Sequence, residues 1–277
     1  MTIAVVFVGV VALQVAVEGQ TLLSPREPSP RQEAISPEAF AAANKVFELA
    51  TREATEDTDY PRELFAALDS TSGHVRQNAF ASVSIVVSGL RNGSDARSQN
   101  RYAELVPLLR KAVLTGVTDG DGITRRYALM ALQTVDFGRP TDMADTVALA
   151  QRMFRLDKEP TVRVAAFDII LSQSRSRGSN WALIEEALND PSPSVKAAAY
   201  REASSAGSAE AIPYLIKGLN DESDQWARVS AAEALRTFAV TNPEVVSAVE
   251  ARVAIEPNQY TKDLLKGILN NMRTLKK

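Results

Sequence analysis

Residues Asp190 to Leu235 read DPSPSVKAAAYREASSAGSAEAIPYLIKGLNDESDQWARVSAAEAL and say one thing twice. Each half has a polar turn with an aspartate, a small or β-branched residue, a base, and alanines at helical spacing. Val195-Lys196 with Ala199 is followed one repeat later by Ala227-Arg228 with Ala231. Self-similarity at this period marks a stack of helical hairpins, because one hairpin cannot bury its apolar face alone and its neighbours must cover it.

The same pattern runs back through the chain. Leu64, Phe65 and Leu68 precede a turn at Asp69 and then Val75-Arg76. Leu105, Leu108, Leu109 and Val113 precede a Gly/Asp turn and Thr124-Arg125. Met153, Phe154 and Leu156 lead to Asp157 and Val162-Arg163. Measured between Val75, Thr124, Val162, Val195 and Ala227, the intervals are 49, 38, 33 and 32 residues. The long first interval holds Arg91 to Gln99, RNGSDARSQ, which reads as a loop projecting from one edge. Upstream, Ser36-Pro37-Glu38 is a helix start, and the helix it opens runs to about Ala54 with Phe40 and Val46 inward. Downstream, Pro243 opens a further helix. A last one spans Tyr260 to Leu275, whose polar outer face suits the end of a stack.

These phrases, above all Ala211-Ile212-Pro213-Tyr214-Leu215-Ile216, Leu105-Val106-Pro107-Leu108-Leu109 and the five Val/Thr/Ala–Arg/Lys anchors, resemble HEAT repeats, more closely the short bacterial HEAT-like repeats. The resemblance spans about Tyr60 to Leu235. It departs from the family at the glycine-rich turn Thr118 to Gly122 and between the first two repeats. It implies an all-α fold, a right-handed α-α superhelical solenoid of helical hairpins over residues 36–277, with capping helices at both ends. It also implies that second helices line the concave side, and that turn aspartate and following arginine bond across neighbouring repeats.

Composition narrows the function. The chain has 277 residues, no cysteine and one histidine, with a formal charge of −3. Thiolate metal sites, cysteine nucleophiles and paired imidazoles are excluded. A negative chain lacks the basic face of a general nucleic-acid binder. Residues 1–17 form an uncharged apolar run, and Val17-Glu18-Gly19 offers small residues for cleavage before Gln20. Residues 1–19 therefore read as a secretory signal, implying a secreted or periplasmic protein, although no Lys or Arg stands near Met1. The alternative is an uncleaved membrane anchor. Residues 20–35, with Pro25, Pro28 and Pro30, read as a disordered linker.

No catalytic motif emerges. Asp119-Gly120-Asp121-Gly122 could offer oxygen ligands to calcium, but it lacks an EF-hand's remaining ligands and reads as a turn. Glu185-Glu186 point about 100° apart on a helix and read as a solvated face. The bases Arg76, Arg125, Arg163, Lys196 and Arg228 could form an anion-binding stripe. The acids Asp69, Asp119, Asp157, Asp190 and Asp221 recur in step with them, so a structural ladder is the preferred reading. On the second helices, Asp168, Arg201 and Glu233 stand six residues after their anchors. At the corresponding face of the second repeat lie Arg126, Tyr127 and Met130, residue types suited to partner contact. The sequence thus predicts a non-catalytic scaffold with no cofactor and no metal, binding a protein or peptide and not nucleic acid. The alternative is a HEAT-like enzyme or assembly factor of the phycobilin-lyase kind. A histidine-rich hydroxylase is ruled out by the single histidine.

Overall fold

The computed structural model describes residues 36–51, 60–174, 181–205, 207 and 209–274. The expected signal segment and linker, 1–19 and 20–35, lie outside them. The described residues hold thirteen α-helices and no strand. They cluster into two compact units, one within Gln32–Asn180 and one within Trp181–Lys277.

The first unit contains α1 (Pro37–Thr51), α2 (Tyr60–Leu68), α3 (Gly73–Asn92), α4 (Ala96–Gly116), α5 (Gly122–Asp136), α6 (Pro140–Leu156) and α7 (Pro160–Ser174). Ser36 caps α1, its hydroxyl accepting from the Ala39 N–H at 3.1 Å. The pairs α2–α3, α4–α5 and α6–α7 are the hairpins, and α1, α3, α5 and α7 stack in one row. The helix expected as a leading cap thus occupies a second-helix position in the row. Fully buried Ala79, Ala128, Ala131 and Ala166 face along the row. Methyl groups let neighbouring axes come within the ordinary packing distance, and Phe80, Leu129, Leu132 and Phe167 fill the space between rows. Gly116 serves the same end, since a Cβ there would strike the Phe80 ring.

Two expectations are corrected here. Phe40 is 55% exposed, not inward; it lies parallel to His74 at 6.4 Å, while Ala43 and Val46 turn to the core. Residues 91–99 are not a projecting loop. Helix α3 runs through Asn92 and α4 begins at Ala96. Asp95 starts α4 by accepting from the Ser98 N–H at 2.9 Å and its hydroxyl at 2.6 Å. The extra residues lengthen both helices instead.

The second unit contains α8 (Trp181–Leu188), α9 (Pro193–Ser205), α10 (Ala211–Leu219), α11 (Gln225–Leu235), a 3₁₀ turn at Arg236–Phe238, α12 (Pro243–Ile255) and α13 (Gln259–Thr274). Hairpins α8–α9, α10–α11 and α12–α13 repeat the arrangement, with α9, α11 and α13 stacked in a row. Tyr200 lies buried against Gly218, where a Cβ would meet its hydroxyl. Burial, helped by the charges of Asp221 and Asp224, pushes its phenol up to about 12. Among the described residues no helix is long and apolar enough to cross a membrane.

Candidate functional site

The bases at the start of the second helices point into the turns, where they meet carboxylates of the following hairpin. In the first unit Arg76 donates from Nε to Asp119 Oδ2 at 2.8 Å and from Nη2 to Oδ1 at 3.1 Å. Its remaining nitrogen, Nη1, reaches the carbonyls of Ser70 and Thr71 in its own turn, at 2.7 and 3.0 Å. Arg125 repeats this on Asp157, at 2.8 and 2.7 Å, and on the carbonyls of Asp119 and Gly120, at 2.8 and 3.1 Å. A planar fork with donors on two edges can do both jobs at once.

Each acid also closes its own turn. Asp119 accepts from the Asp121 N–H at 2.8 Å, and Asp157 from the Glu159 N–H at 2.9 Å. Burial raises the Asp157 carboxyl, but the Arg125 fork, the Glu159 N–H and the charge of Arg163 together hold the group below its ordinary value. Asp121 caps α5, accepting from the Thr124 N–H at 2.8 Å and hydroxyl at 2.6 Å, with Gln77 donating at 2.9 Å. Both carboxylates of the Asp119–Gly122 loop are thereby engaged within the protein.

Asp69 is not part of this ladder. It is exposed and pairs with no base among the described residues. Its place belongs to Ser70, six residues before Arg76, whose hydroxyl accepts from the Ser72 N–H at 3.2 Å. Among the described residues no earlier guanidinium reaches this turn, and a hydroxyl closes it.

Arg163 grips its own turn at the carbonyls of Asp157 and Lys158, at 2.9 and 3.1 Å. In the second unit Asp190 accepts from the Ser192 N–H at 2.7 Å. Lys196 makes a single contact with Asp221, at 3.3 Å. Arg228 donates to both oxygens of Glu256 at 2.8 Å, and to the Asp221 carbonyl at 2.8 Å. Glu256, only 3% exposed, also receives Arg252 at 2.9 Å, and Arg252 in turn holds Glu222 at 2.8 Å. Burial raises the Glu256 carboxyl, but Arg228 and Arg252 together bring it below its ordinary value. Sequence reasoning missed Glu256 because it lies beyond the recognisable repeats and is not an aspartate. The available signal was an acid beside Pro257, closing the turn after Arg228.

The proposed contact residues fall into both units. In the first, the Arg126 guanidinium lies 5.9 Å from the centre of the Tyr127 ring on α5, and both side chains are half-buried. Met130 is 42% and Ile123 38% exposed on the same helix. Asp168 on α7 is exposed. In the second unit Arg201 is exposed on α9, and Glu233 on α11 pairs with Arg236 at 3.2 Å. Glu185 and Glu186 are both exposed. Among the described residues no cluster of three or more His, Cys, Asp or Glu could hold a metal ion.

Stacked α-α hairpins with a base-to-acid ladder define a helical repeat protein. Residues 181–266 match the family model of HEAT repeats, so the resemblance carried by the repeat phrases is shown for that stretch. Among solved structures, the chain is similar to an archaeal HEAT-like repeats protein from Thermococcus onnurineus NA1, with 13% identity, 89% of this chain and 100% of that one covered, and a TM-score of 0.43. It is also similar to human deoxyhypusine hydroxylase in complex with glycerol, with 16% identity, 96% and 99% covered, and a TM-score of 0.37. A third is the complex of CpcE and CpcF of phycocyanin lyase from Nostoc sp. PCC7120, with 16% identity, 91% and 99% covered, and a TM-score of 0.36. No curated protein matches the chain.

Proposed function

We propose that the chain is an exported, non-catalytic scaffold that holds a protein or peptide on the face of its second helices, centred on Arg126 and Tyr127. The observation that carries this reading is the α5 surface. There a guanidinium, a phenol ring, a thioether and Ile123 lie together, two of them large apolar side chains left exposed. Such residues supply contact area at low ordering cost. The recurring chemistry of the turns is occupied in holding the hairpins together, which leaves the helix face for a partner. Export rests on the apolar run and small-residue cleavage pattern of residues 1–19.

Cross-linking the protein in its native cells and recovering it from the envelope and secreted fractions tests both halves. The intact mass should lack residues 1–19, and a polypeptide should be cross-linked at the α5 face. With that partner purified, Arg126→Ala with Tyr127→Ala should weaken binding about tenfold, ~1.4 kcal/mol, at an unchanged melting temperature. An intact Met1 in the cytosol would remove export; retention of Met1 in the membrane fraction would favour the anchored alternative. Full affinity in the double variant would remove the α5 site.

A further inference from the structure

The first helices of successive hairpins should pack side by side, yet α4 and α6 scarcely touch. Two adjoining hollows of about 540 and 500 Å³ lie between them, sharing Arg110 and Leu114. The floor is apolar, built from Leu114, Leu132, Leu149 and Met153. At one end stands Leu156, 76% exposed, the most exposed large hydrophobic side chain among the described residues.

The charges along this groove are nearly balanced in number but not in engagement. Asp142 receives Arg139 at 2.7 Å and Arg110 at 3.7 Å. Asp145 has Arg110 at 3.8 Å, and Asp157 is taken by Arg125 at 2.7 Å. Arg110 itself is anchored at 2.8 Å on Asp136, a fully buried carboxylate whose other oxygen accepts from the Thr146 hydroxyl at 2.7 Å. Asp142 and Asp157 are thus held by arginines, whereas the Asp145 side chain is largely exposed and only loosely neighboured by Arg110. Lys111 on the α4 wall and Arg152 on the α6 wall are exposed, and neither side chain has an ion pair or hydrogen bond among the described residues. Arg139 Nη1, at the same groove, is buried without an acceptor. The exposed charged side chains of the groove with no partner among the described residues, Lys111 and Arg152, are both positive and stand on opposite walls above an apolar floor.

We propose that the groove between α4 and α6 is a second docking site, which takes a polypeptide segment carrying leucine-like side chains and carboxylates. The apolar side chains cover Leu114, Leu149 and Met153, and the carboxylates meet Lys111 and Arg152. A basic segment would meet like charge on both walls, which sets the preference in sign. The groove is long and open, whereas small-molecule sites enclose most of their ligand; this favours a polypeptide. Because both rim cations are exposed, added salt should weaken binding without abolishing it.

Fluorescence anisotropy on the purified chain, with a short labelled peptide of Leu, Ala and Glu and its Lys-for-Glu counterpart, tests this. The acidic peptide should bind and the basic one should not. Lys111→Glu with Arg152→Glu should lower affinity at least about tenfold, ~1.4 kcal/mol, with unchanged circular dichroism. Leu149→Arg should block the site, and Arg126→Ala with Tyr127→Ala should leave it intact. Binding of neither peptide, equal binding of both, or parental affinity in the charge-reversed variant overturns the proposal. Loss of acidic-peptide binding in the Arg126/Tyr127 variant alone moves that peptide to the α5 face. If the peptides fail while phosphatidylglycerol vesicles bind through Lys111 and Arg152, the groove belongs to a lipid surface and the polypeptide proposal is wrong.

Discussion

Arg228 shows what one side chain does in this fold. Its three nitrogens hold the Asp221 carbonyl and both oxygens of Glu256, all at 2.8 Å. Removing it strips a buried carboxylate of one of its two guanidinium partners and leaves a turn carbonyl without its donor. Arg228→Ala should therefore cost ~1.5–3 kcal/mol, read as a lower urea midpoint at neutral pH. Arg228→Lys keeps the charge but loses the fork, and should fall between the two. Parental midpoints in both variants would show that the ladder contributes nothing to stability. The bases and most of the acids were readable from the sequence because they recur in register. Their partners were not. Register alone does not say whether a base serves its own turn or the next, and only the fold places Asp119 on Arg76 and Ser70 where Asp69 was expected.

At the scale of elements, the hairpins were legible because alanines and leucines repeat at helical spacing around each base. The long helices of the second hairpin were not. Gly93, Ser94 and Asp95 resemble a loop in composition, but Asp95 is a cap, and from the next residue, Ala96, the chain is already in α4. Asp95→Ala removes both contacts to Ser98 and should cost ~1 kcal/mol, seen as a lower melting temperature. Asp95→Asn should recover most of it. Loss no greater than that of an exposed alanine substitution elsewhere on α4 would make the cap incidental. The groove beside α6 was invisible in the sequence for a different reason. It consists of packing that is missing, and residue patterns report only the contacts that are made.

For the molecule as a whole, both units stake stability on carboxylates held below their ordinary values. Asp157 in the first unit and Asp221 and Glu256 in the second are all lowered. In each, burial works the other way and is outweighed by hydrogen bonds and neighbouring cations. At mildly acidic pH the unfolded chain then binds more protons than the folded one. The stability these groups supply is complete above the ordinary carboxylate range, about 4, and is lost as pH falls through the lower folded values. The unfolding free energy should be level near neutrality and decline steeply in acid. Glu256→Gln should be less stable at neutral pH but show a shallower acid limb. An acid limb of parental slope in Glu256→Gln would mean that other groups govern it.

The forward pairing of base and acid has a consequence for how such a chain can change in length. Within each unit every interior hairpin offers one cation to its successor and one anion to its predecessor. A tandem duplication of a whole hairpin therefore inserts a donor and an acceptor together, and a clean deletion removes both. Copy number can drift without stranding a charge in the interior, where an unmatched ion is costly. A turn that receives no guanidinium among the described residues, like that at Ser70, needs no anion, whereas Glu256, which receives Arg228, cannot be dispensed with.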